Sequence, residues 1–250
     1  MKKLLLVGVN SVHTYNFYKL IKPAFDDVIL ITDKRNEKFP DLEQHEVYFG
    51  MRNILNAIRS IFKIRRVIRS FKPDIIHMHI ANSVAYYTLR AKGSRKIPAI
   101  VTAWGSEVLV NPRNNIIVSL MLERIVARAS AFTVDAKIVG EVLQEFTKSK
   151  KLIILNSNFG VEIPKVGKVK DRVIYSNRLH EPNYRIDKII IAFAFFPDKR
   201  WRLRIAGTGS QTEVLKALAD KLQISDRVDF LGWLDHDQNY EEYAKATVYA

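Results

Sequence analysis

Short apolar runs alternate with helix-like stretches along the whole chain, and this alternation constrains the fold more than any other sequence feature. Strands with nearly continuous apolar sequence are typical of parallel sheets, which helices cover on both faces. The first 160 residues are therefore predicted to form an α/β domain with a parallel sheet. Its predicted strands are Lys3–Val9, Val28–Thr32, Asp74–His79, Ala99–Thr102, Ala131–Val134 and Leu152–Leu155, and its predicted helices are Thr14–Ile21, Met51–Phe71, Ser83–Lys92, Asn115–Ala129 and Lys137–Thr147.

The same alternation resumes in the last part of the chain, which predicts a second domain of the same class. Its predicted strands are Arg172–Tyr175, Arg202–Ala206 and Val228–Leu231, and its predicted helices are Ile186–Phe196, Gln211–Leu222 and Asn239–Lys245. The last residues, Thr247–Ala250, have the sequence of another strand at its start, so we expect this second domain to be incomplete.

A linker is predicted at Asn156–Asp171, where Asn, Ser, Gly, Pro and scattered Lys replace the periodic pattern. We therefore divide the chain into domains at residues 1–160 and 161–250. The predicted fold class is α/β, with two Rossmann-like, doubly wound parallel-sheet domains that face a cleft. Ligands of such sheets bind at the carboxyl ends of the strands, so the loops that follow the strands are the candidates for function.

Composition and charge exclude some classes of protein and favour others. The 40 Lys and Arg outnumber the 26 Asp and Glu, and the net charge of +14 favours an anionic partner: nucleic acid, acidic lipid or a phosphate-bearing substrate. The chain has no cysteine, which excludes a disulfide scaffold and a cysteine nucleophile and is compatible with a reducing compartment. No apolar stretch approaches the roughly 20 residues that cross a bilayer, and the opening apolar run is better explained as a strand than as a signal peptide.

Arg178 follows the first predicted strand of the second domain and precedes a helix. Two interpretations are open for this cation: it pairs with Glu181 or Asp187, or it binds an anion. A bidentate guanidinium at the mouth of a strand suits a diphosphate well.

A glycine turn, Gly207-Thr208-Gly209-Ser210, follows the next strand and opens a helix. Ser210 and Glu213 have the spacing of a capping box. Free backbone N–H groups at such a turn, together with the helix dipole, favour a phosphate. Taken alone, the turn is better explained as a capped strand-to-helix connection. If the two strands are neighbours, however, the turn and Arg178 face the same point, which favours an anion-binding site.

Several motifs follow one another along the chain in a fixed order. In the first domain they are Lys72–His79, Thr102–Glu107 and Asn158–Glu162, and in the second domain they are Ser176-Asn-Arg-Leu179, Tyr184–Phe193, Ile205–Gly209 and Arg227–Leu234. In their order and spacing together, these motifs resemble those of the family-four retaining glycosyltransferases of the GT-B fold, and the resemblance covers essentially the whole chain.

The resemblance implies transfer of a sugar from a nucleotide-diphosphate sugar with retained anomeric configuration. It places Arg178 on the donor diphosphate, Gly207, Gly209 and Ser210 beside the nucleotide, and the Gly232 loop near the base.

The resemblance also implies roles for residues of the first domain. The turn from Gly8 to His13 would face the donor phosphates and the acceptor across the cleft, and the Trp104 loop would belong to the same acceptor side. His79, at the end of a strand, is a candidate catalytic residue. Glu107 is a second candidate, which would contact the acceptor or a catalytic water; capping a loop N–H is an equally good explanation of this residue. Neither a metal nor an organic cofactor is implied.

The sequence departs from the family pattern at three places. Many relatives carry His where this chain has Trp104, although a subgroup with Trp-Gly-Ser followed by an acid is similar to this chain. Many relatives carry a phosphate-binding Lys where this chain has Tyr184, so Arg185 or Lys188 would have to supply that charge. The glutamate pair that grips the donor sugar in the family is expected beyond Ala250, which leaves the activity of this chain as it stands open.

Three acidic or histidine patterns have simpler explanations than a cofactor site. His77 and His79 share one face of a strand but lack a third ligand at metal spacing, and His77 is expected to be packed. Asp235 and Asp237 imitate a metal-binding pair, but they precede a helix that aspartates would cap. Asp33 follows the second strand, yet the preceding glycine turn lacks the dinucleotide spacing.

The stretch from Arg52 to Lys72 is basic and amphipathic, with Ile54, Ile58, Ile61 and Ile68 predicted on one face and Arg59, Lys63, Arg66 and Arg69 elsewhere. Packing on the sheet and contact with anionic lipid are compatible explanations. A glycan or polyprenyl-linked acceptor, and a cytoplasmic location at the inner face of the cell membrane, would agree with it.

Three other functions stay open from the sequence. The positive charge alone allows nucleic-acid binding, but basic residues occur in both domains without a recognisable module, and no nucleic-acid partner is predicted. The missing glutamate pair allows a non-catalytic, acceptor-binding protein. A sugar-nucleotide epimerase would have the same architecture.

Overall fold

The structure is a computed structural model that describes residues 1–147, 152–156 and 172–250, and the chain divides into two compact units, Met1–Gly160 and Val161–Ala250. We call them the first and second unit. Most of the predicted linker Asn156–Asp171 lies outside the described residues, as does the Asn158–Glu162 motif.

The first unit contains a seven-stranded sheet with the order β3-β2-β1-β4-β5-β6-β7, and all six strand pairings are parallel. This order confirms the predicted Rossmann-like class, because the chain starts in the middle of the sheet and winds outward in both directions. The strands are β1 (Lys3–Val7), β2 (Asp27–Thr32), β3 (Glu43–Glu46), β4 (Ile75–Met78), β5 (Ala99–Ala103), β6 (Ala131–Val134) and β7 (Ile154–Asn156).

Helices cover both faces of this sheet. The helices of the first unit are α1 (Val12–Ile21), α2 (Ile54–Phe71), α3 (Ser83–Lys92), α4 (Ser106–Leu109), α5 (Asn111–Asn114), α6 (Ile116–Arg128) and α7 (Lys137–Glu145). Asparagine side chains accept hydrogen bonds from first-turn amides at the starts of α2, α3 and α6, which fixes where those helices begin.

Alternation along β1 divides the core between the two faces. Leu5 and Val7 lie in the larger cluster, with buried residues of α2, α3, α6 and α7, whereas Leu6 packs with Tyr15 and Tyr18 of α1. Because successive side chains of a strand point to opposite faces, β1 must be apolar throughout. The continuous apolar run that predicted this strand is therefore a direct consequence of its central position.

The second unit contains a four-stranded parallel sheet with the order β10-β9-β8-β11. Helices α8 and α9 contribute buried residues to the cluster around Leu203 and Ile205, and Tyr175 and Ala206 lie in a second cluster. The elements are β8 (Val173–Ser176), α8 (Ile186–Ala194), β9 (Arg202–Ala206), α9 (Thr212–Lys221), β10 (Val228–Gly232), α10 (His236–Lys245) and β11 (Val248–Tyr249).

Sequence patterning missed β3, whose sequence Glu-Gln-His-Glu is polar. This strand pairs with β2 alone at the sheet edge. Its one buried side chain, Gln44, accepts a hydrogen bond from the Tyr15 hydroxyl at 3.1 Å. Apolar periodicity does not detect such a strand because hydrogen bonds, and not apolar burial, hold its side chains.

Candidate functional sites at the carboxyl edges of the two sheets

In the second unit, the loop after β8 and the glycine turn after β9 are in direct contact. A Cβ atom on Gly207 would lie 2.4 Å from the Arg178 carbonyl oxygen, and the φ of Gly207 is +112°. Only glycine combines that backbone angle with so close an approach. Gly207 therefore fixes the backbone of Arg178 against the start of the glycine turn.

His180 and Glu181 continue this contact along the turn. The His180 amide donates to the Thr208 carbonyl at 3.2 Å, and the Gln211 amide donates to the His180 carbonyl at 2.9 Å. A Cβ atom on Gly209 would lie 2.5 Å from that same His180 oxygen. The buried His180 ring bonds through Nδ1 to Thr212 Oγ1 at 2.9 Å, and burial lowers its pKa.

The predicted capping box of Ser210 and Glu213 is wrong. Helix α9 begins at Thr212 after Gln211, without a side-chain cap. Ser210 instead donates its amide to Glu181 Oε1 at 2.9 Å and its hydroxyl to Glu181 Oε2 at 2.7 Å, and Glu213 pairs with Lys216. The Ser-x-x-Glu spacing was misleading because Ser210 donates its hydrogen bonds to the Glu181 carboxylate of the neighbouring loop, and not within α9.

The expectation of free amides along the turn also needs correction. The amide of Gly207 donates to the Gly232 carbonyl at 2.7 Å, and that of Gly209 donates to Thr212 Oγ1 at 3.1 Å. Together with Ser210 and Gln211, this leaves only Thr208 in residues 207–211 with an amide that finds no acceptor among the described residues. A phosphate at this turn would meet one exposed amide and would compete with Glu181 for Ser210.

Both proposed structural partners of Arg178 are engaged elsewhere. Glu181 holds Ser210, and Asp187 forms a bidentate pair with Arg185 at 2.9 and 3.0 Å. Arg178 is exposed and makes no ion pair within the described part of the chain. Its guanidinium interacts electrostatically with the Tyr243 hydroxyl: burial raises the pKa of Tyr243, and Arg178 acts in the opposite direction.

Sequence reasoning missed a group of polar and aromatic side chains beside Arg178. Asn177 Nδ2 donates to the Tyr243 hydroxyl at 2.8 Å, and the Tyr249 hydroxyl donates to Asn177 Oδ1 at 2.8 Å. Asn177 Nδ2 also donates to Asn239 Oδ1 at 3.0 Å. The spacing of Asn239 and Tyr243 on one face of α10 was the available signal for this group.

Gly232 ends β10 at a φ of +70°, and its loop continues into Trp233, which is 71% exposed. The register between β9 and β10 shifts between Phe230 and Gly232. The exposed indole offers a surface on which a flat ring could stack, and the preceding glycine has a left-handed backbone conformation. Such a surface suits the expectation that the nucleotide base lies near this loop.

In the first unit, Gly8, His13, His79 and Trp104 come together at the carboxyl edge of the sheet. A Cβ atom on Gly8 would lie 3.2 Å from the His79 Cβ atom. The Trp104 ring lies 5.0 Å from the His13 ring and 5.1 Å from the His79 ring, measured between centroids. His13 is exposed and Trp104 is half-buried, so this group presents an aromatic surface to solvent.

Burial keeps the two strand histidines neutral. It lowers the pKa of His79 to about 4 and that of His77 to about 3. His77 is packed, as predicted, with its Nε2 atom 2.7 Å from Thr102 Oγ1. At neutral pH His79 is therefore an uncharged ring at the base of the aromatic surface.

Glu107 is buried in the first turn of α4, and its Oε1 atom accepts a hydrogen bond from the Trp104 amide at 2.8 Å. The loop-capping explanation therefore holds for this residue. The same bond fixes the loop that carries Trp104, so Glu107 positions the aromatic surface whether or not it also contacts a substrate.

The acidic patterns discounted from the sequence have structural roles. Asp33 Oδ1 accepts a hydrogen bond from the Asn10 amide at 2.6 Å, and Asp235 caps α10 in a capping box with Gln238. Over residues 1–147, 152–156 and 172–250, no three His, Asp or Glu side chains form a group that could hold a metal ion. Nor does any helix in these ranges have the length and apolar character needed to span a membrane.

Solved structures with the same architecture come from several organisms. Anabaena HepE in complex with UDP-glucose shares 12% identity at a TM-score of 0.77, over 100% of this chain and 73% of that one. A glycosyltransferase from Rickettsia africae shares 14% at 0.73, over 99% and 72%. The UDP-GlcNAc 2-epimerase of Methanocaldococcus jannaschii shares 12% at 0.65, over 99% and 77%. No curated protein matches the chain in sequence.

The two parallel-sheet units and these structural neighbours define an α/β protein of the GT-B class. The sequence matches the family profile described as Glycosyl transferase 4-like over residues 2–136, and the profile of Glycosyl transferases group 1 over residues 161–250. The chain belongs to the Glycosyl transferase 4-like family, and it is a glycosyltransferase.

Proposed function

We propose that this glycosyltransferase transfers a sugar from a nucleotide-diphosphate sugar to a glycan or lipid-linked acceptor with retention of configuration, in the synthesis of a surface polysaccharide. One observation carries the donor half of this proposal: Arg178, a cation without an ion-pair partner among the described residues, lies at the carboxyl edge of the second sheet against the glycine turn. The UDP-glucose bound to the structurally similar HepE supports it.

The donor diphosphate is assigned to Arg178. A charge-assisted hydrogen bond between a guanidinium and a phosphate contributes about 1.5–3 kcal/mol. The Thr208 amide, which has no acceptor among the described residues, adds a donor within the glycine turn, between Gly207 and Gly209. Asn177 and Tyr243 supply hydrogen-bonding groups for the remainder of the donor.

The chemistry asks the protein mainly for charge stabilisation. Retaining transfer passes through an oxocarbenium-like state while negative charge grows on the departing diphosphate. A cation and backbone dipoles that are already in place lower the free energy of that state without reorganisation. In this proposal the departing diphosphate itself takes the proton of the incoming hydroxyl, so the mechanism needs neither a metal nor a protein nucleophile.

The acceptor is assigned to the first unit. Trp104 and His13 offer an aromatic surface for a sugar ring, and neutral His79 lies 5.1 Å from the Trp104 ring. We assign buried His79 to the base of this surface, and Glu107 holds the loop on which Trp104 lies. We assign the enzyme to the cytoplasmic side of the cell membrane, where the absence of cysteine agrees with a reducing environment.

The similarity to an epimerase keeps one second function open, and a product assay separates the two. The chain would be incubated with UDP- and GDP-sugars carrying a labelled hexose, together with a lipid extract or glycan acceptor. The proposal predicts label in the acceptor with the donor's anomeric configuration, read by NMR. Conversion of the donor to its epimer without transfer would contradict it, and the Arg178→Ala variant should lose either activity.

A further inference from the structure

Helix α2 has a second apolar surface that the fold does not use. Four large apolar side chains on its first half are exposed, to 73% at Ile54, 64% at Leu55, 45% at Ile58 and 61% at Phe62. We call these four residues the outer stripe. The core contacts of α2 come from other residues, namely Ile64, Val67, Ile68 and Phe71, so the outer stripe contributes nothing to the core.

Helical geometry separates the two surfaces. At 100° per residue, Ile54, Ile58 and Phe62 lie one turn apart along one line of the helix, and Leu55 lies beside them. Ile64, Val67 and Phe71 lie on the other side of the helix. Ile54 and Ile58 share a face with Ile61 and Ile68, as predicted, but burial changes along that face: Ile61 and Ile68 pack against the core, whereas Ile54 and Ile58 are exposed.

Positive charge surrounds the outer stripe. Residues 47–73 contain seven Lys and Arg and no Asp or Glu. Arg59, Lys63 and Arg66 flank the stripe on one side, and Arg65 lies over the Phe62 ring at 5.6 Å. The charge asymmetry extends to the whole unit: residues 1–160 contain 25 Lys and Arg against 13 Asp and Glu, whereas residues 161–250 contain 15 against 13.

We propose that the outer stripe inserts into the surface of an anionic lipid bilayer, with the flanking cations on the headgroups. Apolar residues beside Lys and Arg on one helix are the combination that binds anionic membranes in the interfacial plane. A second copy of this face does not fit, because pairing would bring like charges together. The inference deepens the proposed function and rests on it for its purpose, since docking would present the enzyme to a lipid-linked acceptor.

The position of α2 agrees with that purpose. The helix begins after the carboxyl end of β3 and runs back toward the start of β4, so Ile54 and Leu55 lie at the carboxyl edge of the sheet. Gly8 and His79 lie at the same edge, after β1 and β4. The bilayer contact and the proposed acceptor surface therefore belong to one end of the first unit.

Sedimentation with lipid vesicles tests the proposal. Vesicles of phosphatidylcholine alone and of phosphatidylcholine with one third phosphatidylglycerol would be mixed with wild type, Ile58→Ser/Phe62→Ser, and Arg59→Glu/Lys63→Glu. The wild type should bind the anionic vesicles, and each double variant should bind them at least about tenfold more weakly. Leu20→Ser, at an exposed apolar residue of α1, and Lys199→Glu/Lys221→Glu, which makes the same charge change in the second unit, should bind like the wild type.

Three results would overturn the proposal. They are equal binding to both kinds of vesicle, equal loss in the control variants, and a wild-type dimer that the Ile58→Ser/Phe62→Ser change converts to monomer. Nucleoside-diphosphate binding would be measured in parallel on every variant. If it persists while vesicle binding is absent, docking fails alone; if nucleotides never bind but vesicles do, the proposed donor site fails alone.

Discussion

At the scale of single residues, His77 and His79 link the stability of the first unit to pH. Both are neutral in the fold, with pKa values of about 3 and 4, whereas an unfolded histidine titrates near 6.5. Between those values the unfolded chain binds more protons than the folded chain. The free energy of unfolding therefore falls as the pH falls below about 6.5, by up to about 1.4 kcal/mol per pH unit for each histidine.

We predict that His79→Gln reduces this acid sensitivity. The variant has no proton to bind at that position, so its stability should change less than that of the wild type between neutral pH and about pH 5. Urea unfolding at both pH values measures the difference. His236→Gln, at an exposed histidine of α10, is the control and should behave as the wild type does. Equal losses in the wild type and His79→Gln would show that His79 does not carry the effect.

Glu181 makes a second residue-scale prediction. Its carboxylate accepts hydrogen bonds from the Ser210 amide and hydroxyl, and these bonds lower the pKa of Glu181. The carboxylate is therefore ionised beside the turn where a diphosphate is proposed to bind. Glu181→Gln keeps an acceptor for Ser210 but removes the charge. Nucleoside-diphosphate affinity, measured by calorimetry, should rise several-fold. Glu213→Gln, which removes a charge paired with Lys216, should change it little, and weaker binding in Glu181→Gln would contradict the account.

At the scale of elements, the contact between the loops after β8 and β9 depends on Gly207. Gly207→Ala would place a methyl group 2.4 Å from a backbone oxygen at a φ of +112°, and we expect a cost of about 3 kcal/mol or more. Gly232→Ala is the matched control, since its φ is also positive but the space around it is open; we expect about 1–2 kcal/mol. Chemical denaturation of the whole chain, followed by the unfolding of its second unit, measures the loss of unfolding free energy in both variants. Equal losses would mean that the close approach at Gly207 is not rigid.

The sequence predicted strands and helices whose side chains are held by apolar burial, and it failed where polar contacts decide. β1 and β9 were recognisable because both are buried in the interiors of their sheets. The edge strand at Gln44 and the partner of Ser210 were not, because each depends on a side chain from a segment distant in sequence. Along α2, periodicity identified an apolar face but did not show that its first half stays exposed, because burial depends on how far the helix extends over the sheet.

At the scale of the whole molecule, the net charge divides unevenly between two units of the same architecture. Cations occur in both, as expected from the sequence, but acids nearly balance them in the second unit. We therefore propose that the second unit binds its anion through a local group of residues and not through a general positive field. The excess belongs to the first unit, where α2 concentrates it beside exposed apolar residues, which favours a lipid surface over nucleic acid.

The central claim is that a nucleoside diphosphate binds at the carboxyl edge of the second sheet through Arg178. Isothermal titration of UDP and GDP into wild type, Arg178→Ala and Arg200→Ala tests it most directly, because Arg200 precedes the opposite end of β9 and is paired with Asp198. We predict that one nucleotide binds wild type and Arg200→Ala alike, and binds Arg178→Ala at least about tenfold more weakly. Equal affinity in all three proteins, or binding by none, would contradict the account.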